Sequence, residues 1–214
     1  MRTFEPWPRR SDAAAQRAYQ TVITNDAQLA AMLPQLDHAD RIAVDTEADS
    51  LHCYYEKLCL IQLSFDGRDY LVDPLAGFDL SPLATALADK EIVLQGADFD
   101  LRLLKRSINF TASRIFDTVI AARLLGIREF SLAALVERYF GVTLKKGSQK
   151  ANWAQRPLPR EMAEYAVNDT HYLLPLANQL DEELQAKGRY EWFQQSCQRA
   201  LAQTAVQRVR DEDE

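Results

Sequence analysis

Two carboxylates stand one residue apart in "RIAVDTEADSL", the stretch from Arg41 to Leu51. They are Asp45 and Glu47, and Asp49 follows close behind. The apolar run Ile42, Ala43, Val44 leads into them as a buried strand would. Side chains two apart on a strand face the same side, so this pair can reach a single cation. Partly buried like charges raise one another's energy, and a cation is the usual compensation. Taken alone, Asp-x-Glu is equally what a solvated strand edge carries. Two more places extend the pattern. Asp100, in "GADFDLRLL", lies where an apolar strand hands over to a helix, a position at which Asp also serves as an N-cap. Tyr165 and Asp169, in "EYAVNDTHYL", are spaced i, i+4 and share one helix face. A half-buried Tyr beside a surface Asp would account for that pair as well.

These residues need a scaffold, and the chain supplies one. "YQTVITN" (19–25) has the β-branched content of a strand, and Asn25 or Asp26 is placed to cap the helix of "TNDAQLAAMLPQL". Strand 41–46 comes next. "KLCLIQLSF" (57–65) and "DYLVDPL" (69–75) flank the turn "DGR" and predict a hairpin. "SPLATALADK" (81–90) predicts a helix with Ser81 as cap and Pro82 in its first turn. "EIVLQGA" (91–97) predicts a buried strand, and a helix opens at Asp100. "RIFDTVIAARLLG" (114–126) gives a strand and a helix capped by Asp117, and "SLAALVERYFG" (131–141) gives another helix. The stretch 144–160 is basic and aperiodic and reads as a long exposed loop, a kind of segment that often carries function. A long helical pattern from 160 to 188 contains Pro175, which should bend or break it. Asp73 reads as a turn residue and Asp117 as a helix cap, neither as a ligand. The expected fold is α/β, a mixed sheet of five to six strands flanked by helices.

At 214 residues, with 47% apolar and 26% charged residues, the chain can bury a substantial core. The net charge is −6, and four of those charges fall in the terminal run Asp211–Glu214. Such a balance argues against a strongly adhesive, non-specific nucleic-acid binder but permits local basic patches. The three cysteines, Cys53, Cys59 and Cys197, have no disulfide or zinc spacing and suit a reducing, cytoplasmic setting. No apolar run approaches the roughly 20 residues that cross a bilayer. The expected organisation is a flexible N-terminal arm over 1–17, a domain over 18–188 and a helical tail over 189–214 that ends in the acidic cluster.

The order Asp-x-Glu, Asp at a strand–helix junction, then Tyr-x-x-x-Asp on a late helix is far more specific than its parts. "DTEADSL", "GADFDLRLL" and "YAVND", the last preceded by "SQKANWAQRPL", resemble the motifs of the DEDD exonuclease superfamily. The resemblance is to its tyrosine branch and, within it, to ribonuclease D, over about residues 20–188. It implies an RNase H-like fold and 3′–5′ hydrolysis of phosphodiester bonds with release of nucleoside 5′-monophosphates. It also implies two divalent ions, Mg²⁺ or Mn²⁺. By the same resemblance Asp45 bridges both ions, Glu47 and Asp169 hold the ion on the nucleophile side, and Asp100 acts through the other. Tyr165 aims the attacking water. The chemistry is consistent, since two cations roughly 4 Å apart can stabilise both the attacking and the leaving oxygen. Hard ions of this kind take carboxylate oxygens. Phenols titrate near 10, so a tyrosine is a poor general base at neutral pH.

The expected partner is the 3′ end of single-stranded RNA, with DNA as the alternative; the sequence leaves the oligomeric state open. Leu51 is a candidate wedge between terminal bases, or a core residue. His52, Tyr54 and Tyr55 offer stacking surfaces. Lys145, Lys146, Lys150 and Arg156, with Trp153 among them, form a candidate grip on the strand, or a solvated loop. The resemblance further implies C-terminal helical domains that help hold RNA, whereas 26 residues follow Gly188, so the grip on structured RNA is expected to differ. A non-catalytic nucleic-acid-binding scaffold and a small-nucleotide hydrolase are the competing readings. The first would be expected to lack one of the five site residues, all of which are present.

Overall fold

Apolar runs with β-branched residues build the centre of the molecule. The computed structural model describes residues 22–49, 56–144, 147 and 151–205. Six strands form one mixed sheet: β1 (Val22–Ile23), β2 (Arg41–Asp49), β3 (Lys57–Phe65), β4 (Arg68–Val72), β5 (Glu91–Leu94) and β6 (Arg114–Asp117). Their order across the sheet is β1-β4-β3-β2-β5-β6. The hairpin partners β2–β3 and β3–β4 are antiparallel, while β2–β5, β5–β6 and β1–β4 are parallel. The predicted α/β class and mixed sheet are therefore observed. Asp66 and Gly67, with φ of 49° and 70°, make the two-residue turn between β3 and β4. A positive φ at both central residues matches the strand twist, which is what Asp-Gly announced.

The helices are α1 (Asp26–Leu36), α2 (Ser81–Leu87), α3 (Asp98–Ile108), α4 (Thr118–Leu124), α5 (Leu132–Phe140), α6 (Arg160–His171), α7 (Leu173–Ala186) and α8 (Tyr190–Ala205). Asn25 caps α1, accepting from the Gln28 amide at 2.9 Å. At α2 the cap differs from expectation. Ser81 is the first helical residue, and Asp79 accepts from both its amide and its hydroxyl. The long pattern 160–188 is two helices that part at Tyr172. Pro175 explains the position of the break. It has no N–H to reach back to the His171 carbonyl, and its ring would crowd that carbonyl. Helix α8, in the stretch read as a tail, belongs to the main core, where Phe193 and Cys197 are buried.

Two apolar clusters lie against the sheet. In β3, Leu58, Ile61, Leu63 and Phe65 join the main core. Cys59 and Leu60 join a smaller cluster with Leu71, Trp153, Leu158 and the α6 residues Met162, Ala163, Ala166 and Val167. A register shift between Glu47 and Ala48 explains why two successive residues face the same way. Glu47 pairs with Leu60 and Ala48 with Leu58, so Cys59 is the extra residue of a β-bulge.

Asp117 does more than cap α4. Its carboxylate accepts from the Val119 and Ile120 amides at 2.8 and 3.2 Å, and also from the Gly96 and Ala97 amides at 3.2 and 2.8 Å. One buried acid thus ties the β6–α4 turn to the β5–α3 turn, the latter being the turn that launches Asp100. Gly96 sits there with φ of 84°, a conformation that a β-carbon disfavours. Asp117→Ala leaves buried amides without an acceptor and is expected to cost about 3 kcal/mol, given the usual size of charged hydrogen bonds and unsatisfied buried donors. Urea titration should show this as a lower midpoint with an unchanged slope.

Candidate active site

The fold explains where the acids meet. Strand β2 pairs with β5 only through Ala43, whereas its pairing with β3 continues to Asp49. Beyond Leu94 the β5 chain turns into α3, so the second half of β2 borders a helix start. It is also the place where the sheet changes from antiparallel to parallel neighbours, and such switch points open crevices beyond the strand ends. Helix α6 packs on β2, β3 and β4, and brings Tyr165 and Asp169 over the same end.

Carboxylate oxygens of Asp45, Glu47 and Asp169 lie within 4.8 Å of one another. All three residues are half-buried, and Asp100 is buried beside them. Burial pushes the Glu47 carboxyl up to about 9, and the charges of Asp169 and Asp100 add to the shift. Asp45 is raised well above the ordinary carboxylate range by burial first, then by Asp100, Asp169 and Glu47. Asp169 is raised by burial and by Asp100, against a hydrogen bond from the Tyr165 side chain. Asp100 is raised by burial, against a hydrogen bond from Thr46. Four acids that resist ionisation together form a strong attractor for positive charge. The donor set is all carboxylate, which fits hard divalent cations. These residues therefore suit the ions that the motifs implied.

Neutral donors steady the acids. Thr46 Oγ1 donates to Asp100 Oδ1 at 2.5 Å. Gln62, directly opposite Asp45 on β3, places Nε2 3.3 Å from Asp45 Oδ2. Neither Thr46 nor Gln62 was singled out from the sequence. The signal was present in each case: Thr46 stands between the two acids of the first motif, and Gln62 interrupts an apolar strand. Tyr165 is held on two sides. Its ring meets Trp153 with centroids 6.2 Å apart, and a β-carbon at Gly147 would come within 2.6 Å of its Cδ2. The backbone at residue 147 therefore runs against that ring, an approach a larger residue would obstruct.

The structure brings together Asp45, Glu47, Asp100, Tyr165 and Asp169. It corrects the reading of Trp153. That side chain is 1% exposed and fills the small core beneath Tyr165, so no base can stack on it. Arg156 is likewise committed elsewhere. It grips Asp73 with two nitrogens at 2.6 and 2.7 Å and donates to the carbonyls of Cys59 and Trp153 at 2.7 and 2.9 Å. The apolar residues around Trp153 draw the loop inward, and Arg156 pins it there. Leu51, His52, Tyr54, Tyr55, Lys145, Lys146 and Lys150 lie outside the described residues.

Residues 20–185 match the 3′–5′ exonuclease family. This chain belongs to that family. Ribonuclease D of Zymomonas mobilis is 38% identical over 183 residues, which are 83% of this chain and 47% of the relative. Exosome complex component 10 of Rattus norvegicus is 35% identical over 193 residues, 89% of this chain and 21% of the relative. The solved structure of Escherichia coli RNase D, described as an exoribonuclease involved in structured RNA processing, superposes with a TM-score of 0.82 at 32% identity. It is matched over 87% of this chain and 51% of that one. The chain thus spans about half the length of the ribonuclease D relatives it matches. The resemblance to ribonuclease D and the exonuclease fold is borne out.

The raised acids set a pH dependence. An unfolded Glu titrates near 4.3, whereas folded Glu47 titrates at about 9. The folded state thus binds more protons than the unfolded one between these values. Stability from this group is complete below about 4 and is lost as pH rises through about 9. Metal-free protein should melt at progressively lower temperature as pH rises across that window, and Glu47→Gln should flatten the decline. Calorimetry in EDTA at several pH values checks both.

Proposed function

We propose that this domain is a metal-dependent 3′–5′ exonuclease that removes nucleotides one at a time from the 3′ end of single-stranded RNA. The convergence of four desolvated carboxylates with Tyr165 carries this reading. Ionised together, these acids would repel a phosphodiester unless cations lay between them. Asp45, Glu47, Asp100 and Asp169 would hold two divalent ions, Mg²⁺ or Mn²⁺. Such ions would neutralise the site, activate water and stabilise charge on the attacking and leaving oxygens.

The chain's own residues supply position. Thr46 and Gln62 hold the faces that Asp100 and Asp45 present. Tyr165, fixed between Trp153 and the backbone at Gly147, keeps its hydroxyl at Asp169, where it can orient the water that attacks phosphorus. The new bond joins that water oxygen to the last phosphorus. The bond to the 3′ oxygen of the penultimate nucleotide breaks, and that oxygen takes a proton. A nucleoside 5′-monophosphate leaves, and the shortened strand has a new 3′ hydroxyl. RNA is preferred over DNA because the Zymomonas mobilis relative is a ribonuclease D and the Escherichia coli structure is of an exoribonuclease. Among the described residues no helix is long and apolar enough to cross a membrane. Cys59 and Cys197 are free thiols, and a reducing cytoplasm suits them.

Matched RNA and DNA strands labelled at the 5′ end test the reading. With Mg²⁺ or Mn²⁺ the RNA should give a descending ladder that retains the label, and EDTA should stop it. Full activity in chelator, or immediate release of a labelled mononucleotide, contradicts the proposal; faster loss of DNA reassigns the substrate. Tyr165→Phe keeps the ring and removes the hydroxyl. Its turnover should fall about 10- to 1000-fold, the usual range for lost positioning, with metal affinity little changed. Single-turnover kinetics and a metal titration separate the two effects.

A further inference from the structure

The strand β3 carries a polar side chain where packing alone calls for an apolar one. Gln62 is 0% exposed and sits in the run "LCLIQLSF". Its neighbours across the sheet are Asp45 on β2 and Leu71 on β4. Its Nε2 donates to Asp45 Oδ2 at 3.3 Å. Its Oε1 is buried and has no hydrogen-bond partner among the described residues. A buried carbonyl oxygen without a donor is unfavourable, and a Met or Leu at this point would avoid that penalty. Packing therefore does not account for glutamine here, and the bond to Asp45 remains as the reason for it.

We infer that Gln62 is a positioning residue for the metal site, setting the orientation in which Asp45 presents its carboxylate. The inference rests on the metal-dependent reading given above. Asp45 is the acid flanked by all the others, so its plane matters most. A carboxylate rotates about its terminal bond with little resistance. Binding one oxygen to an amide on the neighbouring strand removes that freedom and leaves the second oxygen committed to the site. The sheet register makes the arrangement rigid, because Gln62 and Asp45 are direct cross-strand partners. Supporting residues of this kind typically govern metal affinity by 10- to 100-fold although they never touch the ion.

The test compares wild type with Gln62→Met and Gln62→Leu. Met has a similar length and no hydrogen-bonding amide. Melting temperature is measured in EDTA and across a Mn²⁺ titration, and kcat and KM for a single-stranded RNA are measured at fixed Mn²⁺. The variants should melt in EDTA at or above the wild-type temperature. Their Mn²⁺ midpoint, read from the melting shift, should rise about 10- to 100-fold. At subsaturating Mn²⁺ kcat should fall while KM for RNA changes little, and excess Mn²⁺ should restore much of kcat. A wild-type Mn²⁺ midpoint in both variants overturns the inference and leaves the exonuclease reading intact. Loss of folding in both also overturns it, since the amide would then be a structural bond. If Mn²⁺ shifts the melting of wild type not at all, the metal site itself falls, and this inference with it.

Discussion

Repulsion among four desolvated carboxylates, one buried and three half-buried, is the constraint around which this structure is organised. Each acid raises the energy of the others, and desolvation raises it further. Single neutral donors ease this repulsion at Asp45, Asp100 and Asp169 without cancelling it. The closeness of the acids must be imposed by the strongest parts of the fold. Two of the acids ride on β2, the strand with buried partners on both sides. The third stands in the first turn of α3, anchored by Asp117. The fourth projects from α6, which is seated on three strands and on its own small core. The apolar clusters hold the site in a state that it would not adopt alone. That stored unfavourable energy is what a bound cation would relieve.

The same constraint explains how polar groups are distributed. Where the acids face the interior, single neutral donors meet them: Thr46 for Asp100, Gln62 for Asp45 and Tyr165 for Asp169. Buried cations would have quenched the repulsion permanently and blocked the site. Arg156, in the loop before α6, is instead consumed by Asp73 and by three carbonyls. The charge of Arg156 is thereby kept out of the acid cluster.

Much of this was legible in the sequence because the informative patterns are local. Asp-Gly between two apolar runs announces a tight hairpin, and i, i+4 spacing puts Tyr165 beside Asp169. The order of the three motifs carried the family, and it pointed to five residues that the fold places near one another. What was not legible depends on contacts distant in sequence. Trp153 looked like an exposed aromatic because its neighbours in the chain are polar; its neighbours in space, Leu60, Leu158 and Met162, are not. Arg156 looked available because Asp73 stands 83 positions away. Gln62 was overlooked because its partner lies on another strand, and no propensity marks a residue for the register it will find.

The bulge at Cys59 bears on how this domain tolerates change in length. Surface turns can gain or lose residues without disturbing what they connect. β3 is different: the extra residue lets Cys59 and Leu60 both support α6 while Leu58 and Ile61 stay in the main core. Removing one residue there would restore a regular ladder and take away part of the floor beneath Trp153 and Tyr165. The spacing of Tyr165 from the acids is thus written partly as a residue count in a strand that contributes no acid, and insertions or deletions that spare every motif would still disturb the site at that point.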